Sequence, residues 1–407
     1  KLLDGARAWY HRAGQAPLSL HLLAIPKAFQ AIAPLIVEFI HEFKSQWGSL
    51  WVDASELIVR QTFCARGGGG SAGPGPIWTQ LDTLKIWVLN KGGYRPPKRK
   101  QPKTSGDDSP TSFPCLHTLE LSQANLLQDL GVIPWEKIKV LKLGEIHPST
   151  HLSWHSSHLQ RTTNLEKLSL GFHLSRNDAQ APPLEAAIVS HISSTVALLK
   201  LRHLHITGSG CLSQAYALLR HLHLPSLEEF VQELGGDEPG VRVEGESRCQ
   251  AVAEVLKQWQ CGASLKILEI KPMDQLLPPT QETMRVLFAA APNLVRFELW
   301  YVALPDQAPP SSVDLSPLFC LPPSVQMVRI ALASKFDLEP VFGAVCEFAE
   351  RRRDRGVESS VHIDIVVRGI PPSGKFGRKA GDNIKEYQRN IGSCRIETHP
   401  DLAYHTE

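Results

Sequence analysis

A short leucine spacing recurs along most of this 407-residue chain and constrains its fold more than any other feature. The unit reads L-x-x-L-x-L, with other aliphatic or aromatic residues in place of some leucines, as in Leu165, Leu168 and Leu170. Good copies begin at residues 81, 116, 138, 165, 201, 265, 294 and 325, and weaker copies begin at 47, 227 and 360. One copy means little because leucine is common, but this many in one chain indicate a repeat architecture.

The spacing is typical of a leucine-rich repeat. The fourth and sixth residues of a unit alternate as in a strand, so both side chains point to one face, and the first residue enters the same core. A single unit cannot bury its apolar face alone, so neighbouring strands must stack in parallel. Helix-compatible stretches lie between the strands at 184–199, 212–222, 247–259, 280–290 and 338–352. The predicted fold class is therefore α/β: an irregular leucine-rich-repeat solenoid with a curved parallel sheet inside and helices outside.

Composition divides the chain into a repeat region and flanking segments. Residues 1–63 are predicted to form a strand-helix-strand segment that caps the solenoid, and the solenoid itself spans 81–368. Residues 64–80 are rich in glycine and predict a flexible linker. The segment 91–111 combines prolines with five basic residues between positions 95 and 103 and lacks an apolar period, which predicts a disordered insert that could act as a nuclear-localisation signal. Residues 369–407 are expected to form a tail.

Charge and cysteine content argue against several classes of protein. Lys and Arg number 43 and Asp and Glu number 41, so the net charge of +2 does not favour a main role in binding nucleic acid or an acidic membrane. The eight cysteines include no C-x-x-C pair, which is typical of reduced thiols and not of structural zinc. The most apolar early stretch, 28–43, is interrupted by polar residues and predicts a core helix rather than a membrane span. We therefore expect an intracellular protein, in the cytoplasm or the nucleus, without a cofactor.

One segment matches the spacing of a nucleotide-binding motif. Gly369–Lys375 has the phosphate-loop spacing G-x-x-x-x-G-K. However, Phe376 replaces the hydroxyl residue that would bind magnesium, and Pro371 and Pro372 remove N–H groups that a phosphate cradle needs. The pattern favours an exposed basic loop, and a nucleotide-binding enzyme is the weaker alternative.

A run of histidines is the other candidate for chemistry. His147, His151, His155 and His158 would share one face of a helix, where they could bind a metal. Pro148 and the surrounding Ser and Thr residues predict a loop instead, and no cysteine or carboxylate lies within the run. No G-x-S-x-G or H-E-x-x-H motif occurs. The chain is therefore predicted to be neither an enzyme nor a metal-binding protein.

The repeat pattern also predicts a binding face. If the fourth and sixth positions point inward, the third, fifth and seventh positions lie on the concave face of the solenoid. Acidic and basic residues are equally frequent at the third and fifth positions, which suits a protein target better than a phosphate backbone. Aromatic residues at seventh positions are favoured anchors, although they could instead cover a neighbouring repeat. The candidate protein-binding residues are Trp87, His203, His205, Arg296, Glu298, Trp300 and Tyr301.

The beginning of the chain resembles a segment of basidiomycete F-box-like proteins. Trp9-Tyr-His-Arg12-Ala-Gly14-Gln-Ala-Pro17-Leu-Ser-Leu20 is similar to the W-x-x-R-S/A-G-x-x-P-L-S-L segment that follows the F-box in that family. The segments Phe348–Gly356 and Val361–Ile365 look like the family's closing helix and strand. The resemblance implies irregular leucine-rich repeats and a role as the substrate-recognition part of an F-box-type ubiquitin-ligase adaptor.

The F-box itself does not occur in these 407 residues. We expect it upstream of Lys1, where the resemblance implies that it would bind the adaptor subunit of a cullin-RING ligase. Such a protein positions its target, and other subunits transfer ubiquitin. Without an F-box, the chain would be a leucine-rich-repeat scaffold with no ligase role.

Overall fold

The protein is α/β, with helices and a large parallel sheet. Contacts divide the chain into two compact units, Lys1–Gly171 and Phe172–Glu407. The computed structural model describes residues 2–23, 32–63, 77–88, 111–128, 130–146, 158–173, 195–209, 212–234, 245–271, 279–301, 319–333, 347, 351, 354, 362–368 and 394–399.

The first unit consists of parallel strands joined by helices and turns. Strands β1 to β5 pair in parallel in chain order, and β6, which crosses the unit boundary, is the neighbour of β5. The helices are α1 (Leu2–Arg12), α2 (Ala33–Glu42) and α3 (Glu56–Phe63), with 3-10 helices at Ala124–Gln128 and Trp135–Lys137. The strands are β1 (Leu18–Leu22), β2 (Trp47–Ala54), β3 (Thr83–Val88), β4 (Thr118–Leu121), β5 (Val140–Ile146) and β6 (Lys167–His173).

The second unit repeats this plan. Strands β8 and β10 to β15 pair in parallel in chain order, and β7 and β9 form a separate parallel pair. The strands are β7 (Val196–Ala197), β8 (His203–Ser209), β9 (Leu222–His223), β10 (Glu229–Leu234), β11 (Ile267–Ile270), β12 (Arg296–Tyr301), β13 (Met327–Ala333), β14 (His362–Arg368) and β15 (Cys394–His399). The helices are α4 (Leu212–Leu219), α5 (Gly245–Trp259) and α6 (Gln281–Ala290). Among the described residues, no helix is long and apolar enough to cross a membrane.

The leucine spacing correctly predicts the core. In every copy whose side chains are described, the apolar residues at the first, fourth and sixth positions are buried, as at Leu81, Leu84 and Ile86. The weak copy that begins at Trp47 follows the same rule. Gln232, the polar sixth residue of the copy that begins at 227, is also fully buried. It is accommodated because its Oε1 accepts a hydrogen bond of 2.7 Å from the Tyr216 hydroxyl.

At seven places in the described ranges, successive repeats are joined by a doubled hydrogen bond at the start of the next strand. The carbonyl of the second repeat residue accepts two consecutive backbone N–H groups from the next repeat. Asp82 O accepts from His117 N at 2.9 Å and from Thr118 N at 3.0 Å. The same arrangement recurs at the carbonyls of His117, Lys139, Arg202, Glu228, Lys266 and Val295. This ladder aligns equivalent positions of neighbouring strands.

Short polar side chains reinforce the ladder. The residue just before the first leucine of a repeat donates to a backbone carbonyl of the preceding repeat, as Asn164 Nδ2 does to Glu136 O at 2.6 Å. Ser264 Oγ donates in the same way to Leu227 O at 2.9 Å. Asn293 and Ser324 repeat the contact. These side chains satisfy carbonyls that would otherwise lack partners in a turn.

Three predicted segments at the ends of the repeat region differ from the structure. The segment 1–63 begins with helix α1, whereas the sequence predicted that a strand comes first. The segment 64–80 includes the fully buried Trp78, so its last residues are packed and are not a flexible linker. The segment 369–407 includes β15, in which Ile396 pairs with Ile365 of β14, so the sheet continues into the predicted tail.

Two predicted segments between the strands lie only partly within the described residues. Of the proposed helix at 184–199, residues 196–197 form strand β7 instead, because they pair with β9. Of the insert 91–111, only Thr111 is described, and it is fully buried. The predicted disorder of 91–110 lies outside the described residues.

Gly144 on β5 provides a test of how closely the repeats pack. A Cβ at this position would lie 2.4 Å from Ser122 O in the preceding repeat, and that backbone cannot easily move. Gly144→Ala should therefore lower the free energy of unfolding by about 1–3 kcal/mol, measured by urea denaturation followed by circular dichroism. Gly5→Ala is the matched control, since a Cβ there meets open space within α1 and favours the helix. Equal stability of the two variants would contradict the predicted clash.

Candidate protein-binding surfaces

The helices of the second unit identify which face of the sheet is covered. The rings of Phe230 on β10 and Trp259 on α5 lie 5.2 Å apart, and those of Phe297 on β12 and Phe288 on α6 lie 5.1 Å apart. Both strand residues occupy fourth positions. The third, fifth and seventh positions therefore lie on the opposite side of the strands, which we call the open face.

In the first unit, the open face carries a row of aromatic and charged side chains. The strand register aligns His21, Trp51 and Lys85 with Glu120 and Lys142 across β1 to β5. Trp87 follows two residues after Lys85 on β3, on the same side. We call this surface the tryptophan face; it consists of His21, Trp51, Lys85, Trp87, Glu120 and Lys142.

Each tryptophan of this face has an ammonium group over its ring. Lys85 Nζ lies 5.6 Å from the ring centroid of Trp51, and Lys142 Nζ lies 5.4 Å from that of Trp87. Such cation–π contacts stabilise the pair at ring distances up to about 6 Å. Lys85 also forms an ion pair of 2.8 Å with Glu120. The imidazole of His21 stacks on Trp51, with 3.7 Å between the ring centroids.

Both tryptophans remain accessible. Trp51 is 37% exposed and Trp87 is 41% exposed, whereas Trp47 at a core position is fully buried. The indole N–H of Trp47 donates to Ile40 O at 2.7 Å. Within the described part of the chain, the indole N–H groups of Trp51 and Trp87 have no acceptor. The two side chains thus present apolar area and free donors together, as binding anchors do.

In the second unit, the open face carries an ion-pair network. Its two central carboxylates are buried: Glu298 is 1% exposed and Glu269 is 5% exposed. Arg296 Nη2 lies 2.7 Å from Glu269 and 3.1 Å from Glu298. Lys271 Nζ lies 2.7 Å from Glu269, and Arg329 Nη1 lies 3.5 Å from Glu298. We call this set the charge network; it consists of His205, Glu233, Glu269, Lys271, Arg296, Glu298 and Arg329.

The shifted pKa values within the charge network show that its charges stabilise one another. Burial alone would lower the pKa of Lys271, but the hydrogen bond to Glu269 and the charges of Glu269, Glu298 and Glu233 raise it above its ordinary value. The pKa of Glu233 is lowered, first by the imidazole of His205, whose Nε2 lies 3.6 Å from the carboxylate, and further by Lys271. The negative charges of its three carboxylates balance the positive charges of its one lysine and two arginines. The network therefore stabilises the contact between neighbouring strands and offers little net charge to a partner.

The predicted binding residues fall into both units. Trp87 is exposed in the first unit, as the prediction requires. His203 lies on β8 with its Nδ1 2.8 Å from Glu229. Glu298 is on the open face, but its burial beneath Arg296 and its other cations prevents direct contact with a partner. His205 and Arg296 belong to the charge network, and Trp300 and Tyr301 lie on β12 with side chains outside the described residues.

Sequence reasoning missed two members of the tryptophan face, Trp51 and His21. Trp51 is the fifth residue of the copy that begins at Trp47, which was judged to be one of the weaker copies. The same positional rule would have placed Trp51 beside Trp87. His21 precedes the first copy, so no repeat pattern identified it. Lys142 was placed on the open face, but the spacing could not show that its ammonium reaches across β4 to Trp87.

The metal and nucleotide motifs that the sequence analysis weighed and disfavoured form no site among the described residues. Neither a protein-family model nor a curated protein matches the chain. Over the described ranges, no group of three or more His, Cys, Asp or Glu residues is arranged to hold a metal ion. His147, His151 and His155 and the segment 369–375 lie outside those ranges.

His158 is the one described member of the histidine run, and it packs within the first unit. Its ring centroid lies 4.6 Å from that of Trp135. Burial and the charge of Arg161 lower the pKa of His158 from 6.5 to about 4. The imidazole is therefore neutral at neutral pH in the folded protein, as a core residue would be.

The lowered pKa of His158 predicts a loss of stability in mild acid. Because the folded-state pKa is about 4 and the ordinary value is 6.5, the unfolded chain binds the proton first, and stability falls as the pH drops from about 6.5 to about 4. His158→Phe keeps a ring against Trp135 and should reduce the difference in melting temperature between pH 7 and pH 5. His11→Phe, at a 63% exposed side chain, is the control. An unchanged pH dependence in His158→Phe would show that this residue does not contribute.

Glu298 tests whether the charge network is structural. Glu298→Gln leaves Arg296, Lys271 and Arg329 with one fewer buried carboxylate, so the free energy of unfolding should fall by about 1–3 kcal/mol. Glu282→Gln, which removes an exposed carboxylate paired with Arg285 at 3.2 Å, should change it by less than about 0.5 kcal/mol. Urea denaturation of both variants provides the comparison. A small effect at both positions would refute the structural role.

Proposed function

We propose that this protein is a protein-interaction module, the substrate-recognition part of an F-box-type ubiquitin-ligase adaptor. The observation that carries the proposal is the exposure of Trp51 and Trp87 on neighbouring strands of the open face. Neighbouring exposed apolar side chains are typical of interaction surfaces, and tryptophan is enriched among the residues that dominate binding energies.

The architecture that would present this surface is an irregular leucine-rich-repeat solenoid, with the curved parallel sheet inside and the helices outside. Three features support it: strands that pair in parallel in chain order, buried first, fourth and sixth positions, and the doubled hydrogen bond between repeats. In such a solenoid the open face would be the concave one, and the protein target would lie against it.

The mechanism is positioning, and no bond-making step is assigned to this chain. A partner that covers Trp51 and Trp87 removes their apolar area from water and fixes its own orientation against the rows of the open face. The resemblance of the Trp9–Leu20 segment to F-box-like proteins supports the ligase context, in which the cullin-RING ligase adaptor binds through an F-box and other subunits transfer ubiquitin.

A cross-linking experiment would test the binding role. A photo-reactive amino acid at position 87, in the full chain expressed in cells, should form a covalent adduct with a target protein that mass spectrometry identifies. The same amino acid at Leu199, which is 58% exposed in the second unit, is the control. Co-purification of ligase subunits with the adduct would support the adaptor role, and an adduct without them would favour a leucine-rich-repeat scaffold.

Trp87→Ala should weaken the binding of that target by about 30-fold, which corresponds to the ~2 kcal/mol typical of an interface anchor. Leu199→Ala, which removes an exposed apolar side chain elsewhere, should leave the affinity unchanged. Isothermal calorimetry with the purified target measures both values, and circular dichroism verifies that the variants fold. Equal affinities of Trp87→Ala and the wild type would remove the tryptophan face from the binding site.

A further inference from the structure

The tryptophan face offers hydrogen-bond donors that lack acceptors. Among the described residues, the Lys142 ammonium has no hydrogen-bond or ion-pair partner, and its one contact is with the Trp87 ring. The indole N–H groups of Trp51 and Trp87 also lack partners there. Lys85 differs, because Glu120 already binds it at 2.8 Å. A ligand that fits these groups must supply acceptors.

The aromatic rings are already engaged by the protein's own cations. Lys85 lies over Trp51 and Lys142 lies over Trp87, so one face of each ring, which would attract a cationic ligand, already holds an ammonium group. The ring edges carry the positive part of the aromatic quadrupole. An arginine-rich or methylated-lysine ligand would therefore compete with two lysines, whereas an anionic ligand would not.

The amount of charge limits the size of the anion. Glu120 neutralises Lys85, and Asp53 stands beside Trp87 in the strand register. The Oδ1 atom of Asp53 is buried without a hydrogen-bond partner in the described part of the chain. One ammonium without an ion pair, next to a carboxylate, is too little charge to hold a phosphate backbone, which needs several cations. A few carboxylates on a peptide match it better.

We infer that the tryptophan face binds an acidic peptide segment of a protein partner, an inference that rests on the proposed function and specifies its target. A glutamate or aspartate carboxylate binds the Lys142 ammonium and accepts from the Trp87 indole N–H. A peptide carbonyl accepts from the Trp51 indole N–H, and apolar side chains of the segment cover the exposed indole area. Charge-assisted hydrogen bonds of this kind are about twice as strong as neutral ones, which gives the surface its preference for acid.

The test uses fluorescein-labelled peptides of twelve residues and fluorescence anisotropy. The acidic probe repeats Glu-Leu-Ser four times, and its matched control repeats Gln-Leu-Ser. The full chain should bind the acidic peptide at least about tenfold more tightly than the control, and added salt should reduce the difference. Lys142→Ala should abolish the preference. Lys139→Ala, which removes a 54% exposed lysine just before the same strand, should preserve it.

Further variants and probes distinguish the inferred contacts from nonspecific binding. Trp87→Phe retains a ring under Lys142 but loses the indole N–H, so it should bind the acidic peptide more weakly than the wild type. Equal binding of the acidic and glutamine peptides would overturn the inference. So would tighter binding of a twelve-nucleotide oligouridylate, which would indicate a nucleic-acid surface instead. If the cross-linked target still depends on Trp87 while the acidic peptide does not bind, the proposed function stands and the acidic specificity fails.

Discussion

The doubled hydrogen bond between successive repeats is the constraint on which the rest of the structure depends. A carbonyl such as Asp82 O accepts two N–H groups from the following repeat and so fixes the register of the next strand. A shift by one residue would turn every side chain to the other face of the sheet. Because the ladder prevents this shift, the leucines stay in the core, and fifth-position residues such as Trp51, Lys85 and Glu120 stand in one row.

The same geometry produces two different surfaces, because the residues placed on it differ. In the first unit, the open face combines exposed indoles with lysines, and no carboxylate among the described residues pairs with the Lys142 ammonium. In the second unit, Glu269 and Glu298 are buried beneath three cations that neutralise them. Side chains that satisfy one another stabilise strands, whereas donors without acceptors remain available to a partner. This contrast gives the charge network a structural role and supports the binding role that we propose for the tryptophan face.

The buried polar groups of the second unit are also structural. Burial raises the pKa of Tyr216, whose hydroxyl donates to Gln232, and raises the pKa of the Cys249 thiol to about 12. The pKa of the Cys261 thiol is likewise raised to about 12. Thiols that stay protonated at neutral pH are weak nucleophiles. These residues therefore contribute to packing rather than to chemistry.

The sequence by itself determined the α/β class with a parallel sheet, the core positions and the side of the sheet on which Trp87 lies, because leucine spacing and strand alternation are local properties. It also indicated helices α5 and α6 nearly to the residue. Only the tertiary structure decided that Glu298 is buried, that Lys142 reaches Trp87 and that β15 extends the sheet. Those outcomes depend on which residues the register brings together on neighbouring strands. They also depend on long side chains that reach from one strand to another. The spacing of residues along the sequence encodes neither.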